Sequence, residues 1–212
     1  MSKTTIAAVA AILATALGAL VVSGCGSSDE TTSSQAESTD GAFLAEMISH
    51  HQSAIEMAKV AQKKADHPQI KQLADDIVAA QDAEIADMNE MHRRMFGESA
   101  MGADHGSLGL DDPMMGMSMS MDSLETANPF DQAFIDAMIP HHQGAIRMAE
   151  IELADGQDQQ VKDLAQSIID AQSQEIEEMN EWREQWYGSP SPAGGVPEMN
   201  NDEMPSHDEM GH

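Results

Sequence analysis

An internal repeat constrains the fold of this chain more than any other sequence feature. Phe43 to Gly97 aligns without a gap with Phe134 to Gly188, at a constant offset of 91 residues (134 − 43). Two copies are too few for a solenoid array, but they are enough to close one hydrophobic core. The repeat therefore predicts one supersecondary unit that is used twice.

Each copy has the pattern of a helical hairpin. Apolar residues recur at spacings of three and four, Pro68 stands at a first helical position, and Gly97 and Gly188 stand at helix ends. Thr39 or Asp40 is expected to cap the first helix near Gly41. Four helices of this length, in a chain with few aromatic residues, predict an all-α four-helix bundle over residues 42–188. The repeats span 43–97 and 134–188.

The N-terminal segment, residues 1–24, has the composition of a secretory signal peptide. One basic residue, Lys3, precedes an apolar run that is short for a membrane span and ends in small residues. Val22-Ser23-Gly24-Cys25 resembles a bacterial lipobox, which implies that Cys25 carries a lipid. We therefore expect a lipid-anchored protein on the extracytoplasmic face of a bacterial membrane, the alternative being a plain signal peptide. Cys25 is the only cysteine, so no intramolecular disulfide can form.

The segments outside the repeats lack helical periodicity. Residues 25–41 are rich in Ser, Thr, Asp and Glu and are predicted to form a flexible tether. The linker, residues 98–127, and the tail, residues 189–212, are rich in Met and Gly and are predicted to be irregular or disordered. The net charge of −27 argues against nucleic acid and anionic lipid headgroups as partners, and it favours cations.

Each repeat carries two adjacent histidines on its first helix, with a methionine before and after them. Imidazole suits copper, zinc, nickel and iron, whereas thioether selects the soft Cu(I) ion. Polar side chains, two glutamines and two glutamates, also occupy positions of the second helices where core residues are expected. The candidate metal ligands of the bundle are His50, His51, His141, His142, Met47, Met57, Met138, Met148, Met88 and Met179, with Glu84 and Glu175 as ligands or partners.

The histidine pairs also have a purely structural interpretation. Adjacent helical residues point about 100° apart, so both members of a pair cannot bind one ion from the same face. One member could face the core while the other lies at a helix–helix groove, and both could simply bond Gln81, Glu84, Gln172 and Glu175. A metal at these histidines should weaken as the pH falls through about 6.5, the usual pKa of imidazole. His67 and His92, which have no counterpart in the other repeat, are expected on the surface.

The linker contains a run of closely spaced methionines, which are Met114, Met115, Met117, Met119 and Met121. Thioethers on a flexible backbone can fold around a low-coordinate ion, so Cu(I) is the favoured ligand of this segment. A partner-binding surface and neutral low complexity remain as alternatives.

Three motifs resemble the bacterial family known as domain of unknown function three hundred and five, which is grouped with ferritin-like bundles. They are MIPHHQGAIRMA, the AQxxEIxxMN run of both repeats, and Trp186-Tyr187-Gly188. Some members of that family are extracytoplasmic copper-binding proteins. The resemblance therefore implies copper sequestration, buffering or transfer, with a copper-handling protein as a possible partner. Ser49 stands where the family motif usually has proline, as at Pro140.

Two other classes of function remain open at the level of the sequence. A ferritin-like metal-dependent oxidase would normally show Glu-x-x-His on two helices. Neither repeat has this motif, because Glu46 precedes His50 by four residues and Ala137 stands at the equivalent position. The third class is an envelope protein-interaction module with Met-rich loops. The sequence favours a metal-binding protein that is not an enzyme.

Overall fold

The computed structural model describes residues 30–97 and 108–197, with side chains from Thr39 onward. Its helices are α1 (Glu30–Lys64), α2 (Pro68–Phe96), α3 (Met121–Thr126), α4 (Phe130–Asp155) and α5 (Gln159–Tyr187). These residues contain no strand, which confirms the predicted all-α class. None of the described helices is long and apolar enough to cross a membrane. The signal peptide, Cys25 and the end of the tail lie outside the described residues.

The ends of the long helices follow the sequence signals. Pro68 is the first residue of α2, where its missing N–H has no helical acceptor to lose. Gly97 and Gly188 take left-handed conformations, with φ of 79° and 86°, and their N–H groups donate to the carbonyls of Arg93 and Glu184. Glycine adopts this conformation without steric cost, so both residues end their helices as predicted.

Two segments are more helical than the sequence predicted. Helix α1 begins at Glu30 rather than near Gly41, so most of the expected flexible tether is helical. Extending an existing helix adds one hydrogen bond for each residue fixed, which is far easier than starting a helix. The linker contains α3, where the hydroxyl of Ser120 accepts a hydrogen bond from the N–H of Ser123 and Leu124 is fully buried. The burial of Leu124 explains this short helix.

The hydrophobic core has two parts, and each takes residues from all four long helices. The Phe43 cluster includes Phe43 on α1, Met88 on α2, Met148 on α4 and Val161 on α5. The Phe134 cluster contains the corresponding set, which is Phe134, Met179, Met57 and Ile70 among others. Within each repeat the two helices form a hairpin, and α1 packs on α4. These two helices run in opposite directions, because Asp40 of α1 bonds Gln157, which follows the end of α4. Neither repeat therefore builds a core alone.

Each repeat also binds the hairpin turn of the other through a buried aspartate. The carboxylate of Asp131 accepts hydrogen bonds from the backbone N–H groups of Asp66 and His67, at 3.0 and 2.8 Å. The equivalent Asp40 accepts from the N–H groups of Gln157 and Asp158, at 3.0 and 3.3 Å. Asp40 therefore does not cap α1, because it lies inside that helix and bonds the opposite repeat.

Replacing Asp131 by Ala should destabilise the bundle by about 2–3 kcal/mol, because the N–H groups of Asp66 and His67 lose their carboxylate acceptor. Urea unfolding measures this difference. Asp87→Ala, which removes an exposed aspartate of α2, is the matched control and should leave the unfolding midpoint unchanged. Equal midpoints for the two variants would show that the contact between repeats adds no stability.

Candidate metal centre

Four histidines form a polar layer between the Phe43 cluster and the Phe134 cluster. On α1 the pair His50–His51 lies between Ile48 of the first cluster and Ala54 of the second. On α4 the pair His141–His142 lies between Ile139 and Ala145. All four histidines, called the histidine layer below, are at most 2% exposed. Both members of each pair can be buried because α1 and α4 each contact two other long helices, and α3 as well.

His50 and His141 face each other across the contact between α1 and α4. Their ring centroids are 3.7 Å apart and the ring planes are inclined by 40°. The Nε2 of His50 lies 2.9 Å from the carbonyl oxygen of Met115. Since a carbonyl can only accept, Nε2 carries the proton and Nδ1 has a free lone pair. His141 has no hydrogen-bond partner at either ring nitrogen.

Burial keeps this central pair uncharged. The pKa of His50 is lowered from 6.5 to about 3, mainly by desolvation and in part by the neighbouring imidazoles, while its hydrogen bond to Met115 acts in the opposite direction. Desolvation and the neighbouring imidazoles also hold the pKa of His141 well below its usual value. Both rings are therefore neutral at pH 7, the form that binds metal. The expected loss of metal near pH 6.5 assumed the usual pKa of imidazole, which does not hold for His50 and His141.

The other two histidines point to the second helix of their own repeat. The Nε2 of His51 lies 2.7 Å from Oε2 of Glu84, and the Nε2 of His142 lies 2.6 Å from Oε2 of Glu175. A carboxylate at this distance holds the proton on Nε2 and leaves Nδ1 as the free lone pair. Metal-binding histidines are commonly oriented by such a carboxylate. Glu84 and Glu175 therefore lie where they can orient the histidines.

Hydrogen bonds within the bundle account for only part of the histidine layer. The Nδ1 atoms of all four histidines are buried and have no hydrogen-bond partner. The Oε1 atoms of Gln81 and Gln172 are also buried and unpartnered, so these amides do not satisfy the rings. Leaving such a group unpaired costs about 1–3 kcal/mol. A metal ion that accepts the lone pairs would offset this cost, so these Nδ1 atoms are available as metal ligands.

Six buried methionines lie on the two sides of the histidine layer. Met47, Met88 and Met148 belong to the Phe43 cluster, whereas Met138, Met179 and Met57 belong to the Phe134 cluster. The repeat relates the first set to the second, residue by residue. In the described ranges no three His, Cys, Asp or Glu side chains form a group that could hold a metal ion. An ion in this layer would need imidazole pairs or mixed imidazole and thioether ligands.

The Met-rich run lies beside the histidine layer. Met115 is partly buried against the Phe43 cluster, and Met121 begins α3 and packs on the Phe134 cluster. Met114 and Met119 are the large apolar side chains that remain exposed in the described residues, at 41% and 40%, and Met117 is half-buried. The run is therefore spread between core and surface.

Two histidines outside the layer, His67 and His92, make contacts that the sequence did not predict. His92 is fully buried, contrary to its predicted surface position, and packs on Phe96 with ring centroids 4.8 Å apart. It continues the buried stripe of α2 four residues after Met88, so the periodicity could have identified it. His67 is half-exposed, bonds Asp131 through Nδ1 at 2.6 Å and stacks on Trp186.

The fold and the site define a duplicated helical bundle with a buried histidine layer between two sets of methionines. The chain belongs to the DUF305 family, because the family described as Domain of unknown function (DUF305) matches residues 40–183 and 131–212. This confirms the resemblance seen in the sequence motifs.

Solved structures share the fold. The structure of CopM in the Cu(I)-bound form is 37% identical, with a TM-score of 0.60, covering 70% of this chain and 98% of CopM. CopM in the Cu(II)-bound form is 36% identical over the same shares, with a TM-score of 0.59. A DUF305 protein from Streptomyces coelicolor, at 24% identity and a TM-score of 0.62, covers 74% of this chain and 98% of its own and supports the fold alone. A search of curated protein sequences gave no match.

Proposed function

We propose that this chain is a copper-binding protein that holds the ion at the histidine layer. The observation that carries the proposal is the set of four buried imidazoles whose Nδ1 atoms have no partner, with a neutral central pair, His50 and His141. The likeness to CopM, at 37% identity and with structures in Cu(I)-bound, Cu(II)-bound and Ag-bound forms, supports it. His50, His51, His141 and His142 are the proposed nitrogen ligands. Met47, Met57, Met138, Met148, Met88 and Met179 are the proposed sulfur ligands.

Cu(I) is the oxidation state that this environment favours. Thioether sulfur is a soft ligand, and the proposed ligands in the layer are all uncharged. A buried monovalent ion loses less hydration energy than a divalent one, so a neutral apolar site discriminates against Cu(II) and zinc. Glu84 and Glu175 place negative charge on the outer histidines and partly compensate the charge of the ion.

The cellular role that we propose is sequestration, buffering or transfer of copper outside the cytoplasm, without catalysis. The lipobox-like sequence ending at Cys25 supports a lipid anchor. The exposed thioethers of Met114 and Met119 provide a surface at which a copper-handling partner could exchange the ion. The mass of the mature N-terminal peptide tests the anchor, and an unmodified Cys25 would contradict it.

Metal content tests the proposed function directly. The full chain without its signal peptide, incubated anaerobically with excess Cu(I) and then desalted, should retain at least one copper per chain by elemental mass spectrometry. The same treatment with Zn(II) should leave less than a tenth as much metal, since thioether is a poor zinc ligand. A protein that retains no copper would contradict the proposal.

The glutamates that orient the outer histidines give a quantitative prediction. The double variant Glu84→Gln and Glu175→Gln should bind Cu(I) about 10- to 100-fold more weakly, because groups that orient metal ligands have effects of this size. A competition titration with a Cu(I) chelator measures the change. Glu90→Gln with Glu181→Gln is the matched control, because these residues are also related by the repeat and lie on α2 and α5 outside the buried core. If both double variants bind equally well, the carboxylates do not support the site.

A further inference from the structure

We infer that residues 111–117 form a lid that controls the exchange of copper at the histidine layer, and that Gly116 and Gly144 allow this lid to close. The inference rests on the proposed function, since it concerns the regulation of that same site. Its geometry, however, can be tested without any metal.

The lid is held at both ends and crosses the histidine layer between them. Before it, Leu108 and Leu110 are buried in the Phe43 cluster. After it, Leu124 is buried in the Phe134 cluster. Because the histidine layer separates these two clusters, the segment that joins them must pass over the layer. The anchors keep the lid near the site even when the lid itself moves.

The lid is a compact unit with its own hydrogen bonds. The N–H of Met115 donates to the carbonyl of Asp111 at 2.9 Å, and the N–H of Met117 donates to the carbonyl of Asp112 at 2.9 Å. The side chain of Asp111 accepts from the N–H of Met114 at 2.9 Å. Bonds inside the lid need not break when it lifts, so it can open as one piece.

Within the described residues, two hydrogen bonds join the lid to the bundle. His50 donates from Nε2 to the carbonyl of Met115, and Arg147 donates to the carbonyl of Met114 at 3.2 Å. Both acceptors are backbone carbonyls of the lid, and the donors come from α1 and α4. Lifting the lid would break the hydrogen bond from the Nε2–H of His50 to Met115 and expose the ring. The lid thus couples access to the site with the orientation of one of its proposed ligands.

Two glycines permit the close approach of the lid to α4. A Cβ atom at Gly144 would lie 2.1 Å from the carbonyl oxygen of Met115, and one at Gly116 would lie 2.0 Å from the carbonyl oxygen of Pro140. Both obstacles are backbone atoms, which cannot rotate away as a side chain can. Glycine is unfavourable inside a helix, so Gly144 is explained by the lid and not by α4.

The repeat supplies an internal comparison for this glycine. Ser53 stands on α1 at the position equivalent to Gly144, and it carries a Cβ atom. The helix of the repeat therefore accepts a side chain at this position. The difference between the two copies coincides with the lid, which packs on Gly144 of α4.

The first test uses the metal-free full chain and diethyl pyrocarbonate, which modifies exposed neutral imidazole. Gly144→Ala should raise the modification rate of His50 and His141 about tenfold, because it removes contacts equivalent to one or two hydrogen bonds. Ser53→Ala should leave both rates unchanged, and half-exposed His67 should react equally in every variant. Peptide mass spectrometry gives the rate for each histidine. Unchanged modification rates of His50 and His141 in Gly144→Ala would show that residues 111–117 do not act as a lid.

The second test follows the transfer of Cu(I) from the loaded full chain to bicinchoninate by stopped-flow absorbance. Gly144→Ala should release copper about tenfold faster than wild type and Ser53→Ala. If Gly144→Ala releases its bound copper at the wild-type rate, the lid does not control copper exchange. If wild type binds no copper while Gly144→Ala still exposes His50, the proposed function fails and the lid stands as an access device. If circular dichroism shows that Gly144→Ala is unfolded, Arg147→Ala replaces it in both measurements. The modification rates of His50 and His141 and the copper release rate should then each rise about threefold.

Discussion

A single repeat, residues 30–97, should fail to form a stable monomer when it is expressed alone. In the full chain Phe43, Leu44 and Met47 are completely buried in a cluster that includes residues of α4 and α5. Each such side chain contributes about 1.5–3 kcal/mol when buried. Loss of this burial for the three side chains costs about 4.5–9 kcal/mol, which is comparable to the total stability of a small domain, about 5–15 kcal/mol. We expect an unfolded chain or a dimer that pairs two copies.

Circular dichroism and light scattering after size exclusion measure this outcome. The chain of residues 30–197, which keeps both repeats and the lid, is the control and should be a folded monomer. A helical monomer of residues 30–97 with a cooperative unfolding transition would show that each repeat has its own core.

The repeat was sufficient to predict the helices and their assembly, because each copy exposes an apolar stripe that only other helices can cover. Pro68, Gly97 and Gly188 set helix ends through local backbone chemistry, and local chemistry can be read from the sequence. The predicted start of α1 near Gly41 was wrong, since the helix begins at Glu30. Helix extension depends on an adjoining stable helix more than on local composition.

The histidine pairs were predicted in part. The angle between neighbours on a helix predicted that the two members of a pair point in different directions, and His50 and His51 do contact different helices. The hydrogen bond from His50 to the carbonyl of Met115 could not be predicted, because the acceptor is a backbone group of a segment without periodicity. The pKa of His50 could not be predicted either, because desolvation depends on everything packed around the ring.

The metal-free protein should lose stability steeply as the pH falls below about 6.5. The pKa of His50 is lowered from 6.5 to about 3 by burial, and that of His141 is lowered as well. Below pH 6.5 the unfolded chain therefore binds protons at these positions that the folded chain does not. Their contribution is fully present above pH 6.5 and is lost as the pH falls, by about 1.4 kcal/mol per pH unit for each group. For His50 alone this amounts to about 5 kcal/mol down to pH 3.

Urea unfolding between pH 5 and 7 measures this slope in wild type and in the double variant His50→Gln with His141→Gln. The comparison is needed because Glu152 acts in the opposite direction. Desolvation and the neighbouring Asp40 raise its pKa to about 9, so its contribution is present below pH 4.5 and is lost as the pH rises through 9. This contribution is the same in both proteins and cancels in the difference. Below pH 6 the slopes should differ by about 2.7 kcal/mol per pH unit, twice the value for one group. Equal slopes would mean that the two rings titrate normally in the folded protein.

The most direct test of copper binding at the histidine layer is the Cu(I) affinity of the full chain after removal of the two facing imidazoles. A competition titration with bicinchoninate at pH 7 compares wild type with His50→Gln and His141→Gln combined, with circular dichroism to verify the fold. His67→Gln with His105→Gln is the control that removes the same number of imidazoles at other positions of the sequence. We expect at least about a 100-fold loss of affinity for the first pair, from two lost ligand bonds, and less than about threefold for the second. Wild-type affinity in a folded His50→Gln, His141→Gln protein would contradict copper binding at the histidine layer.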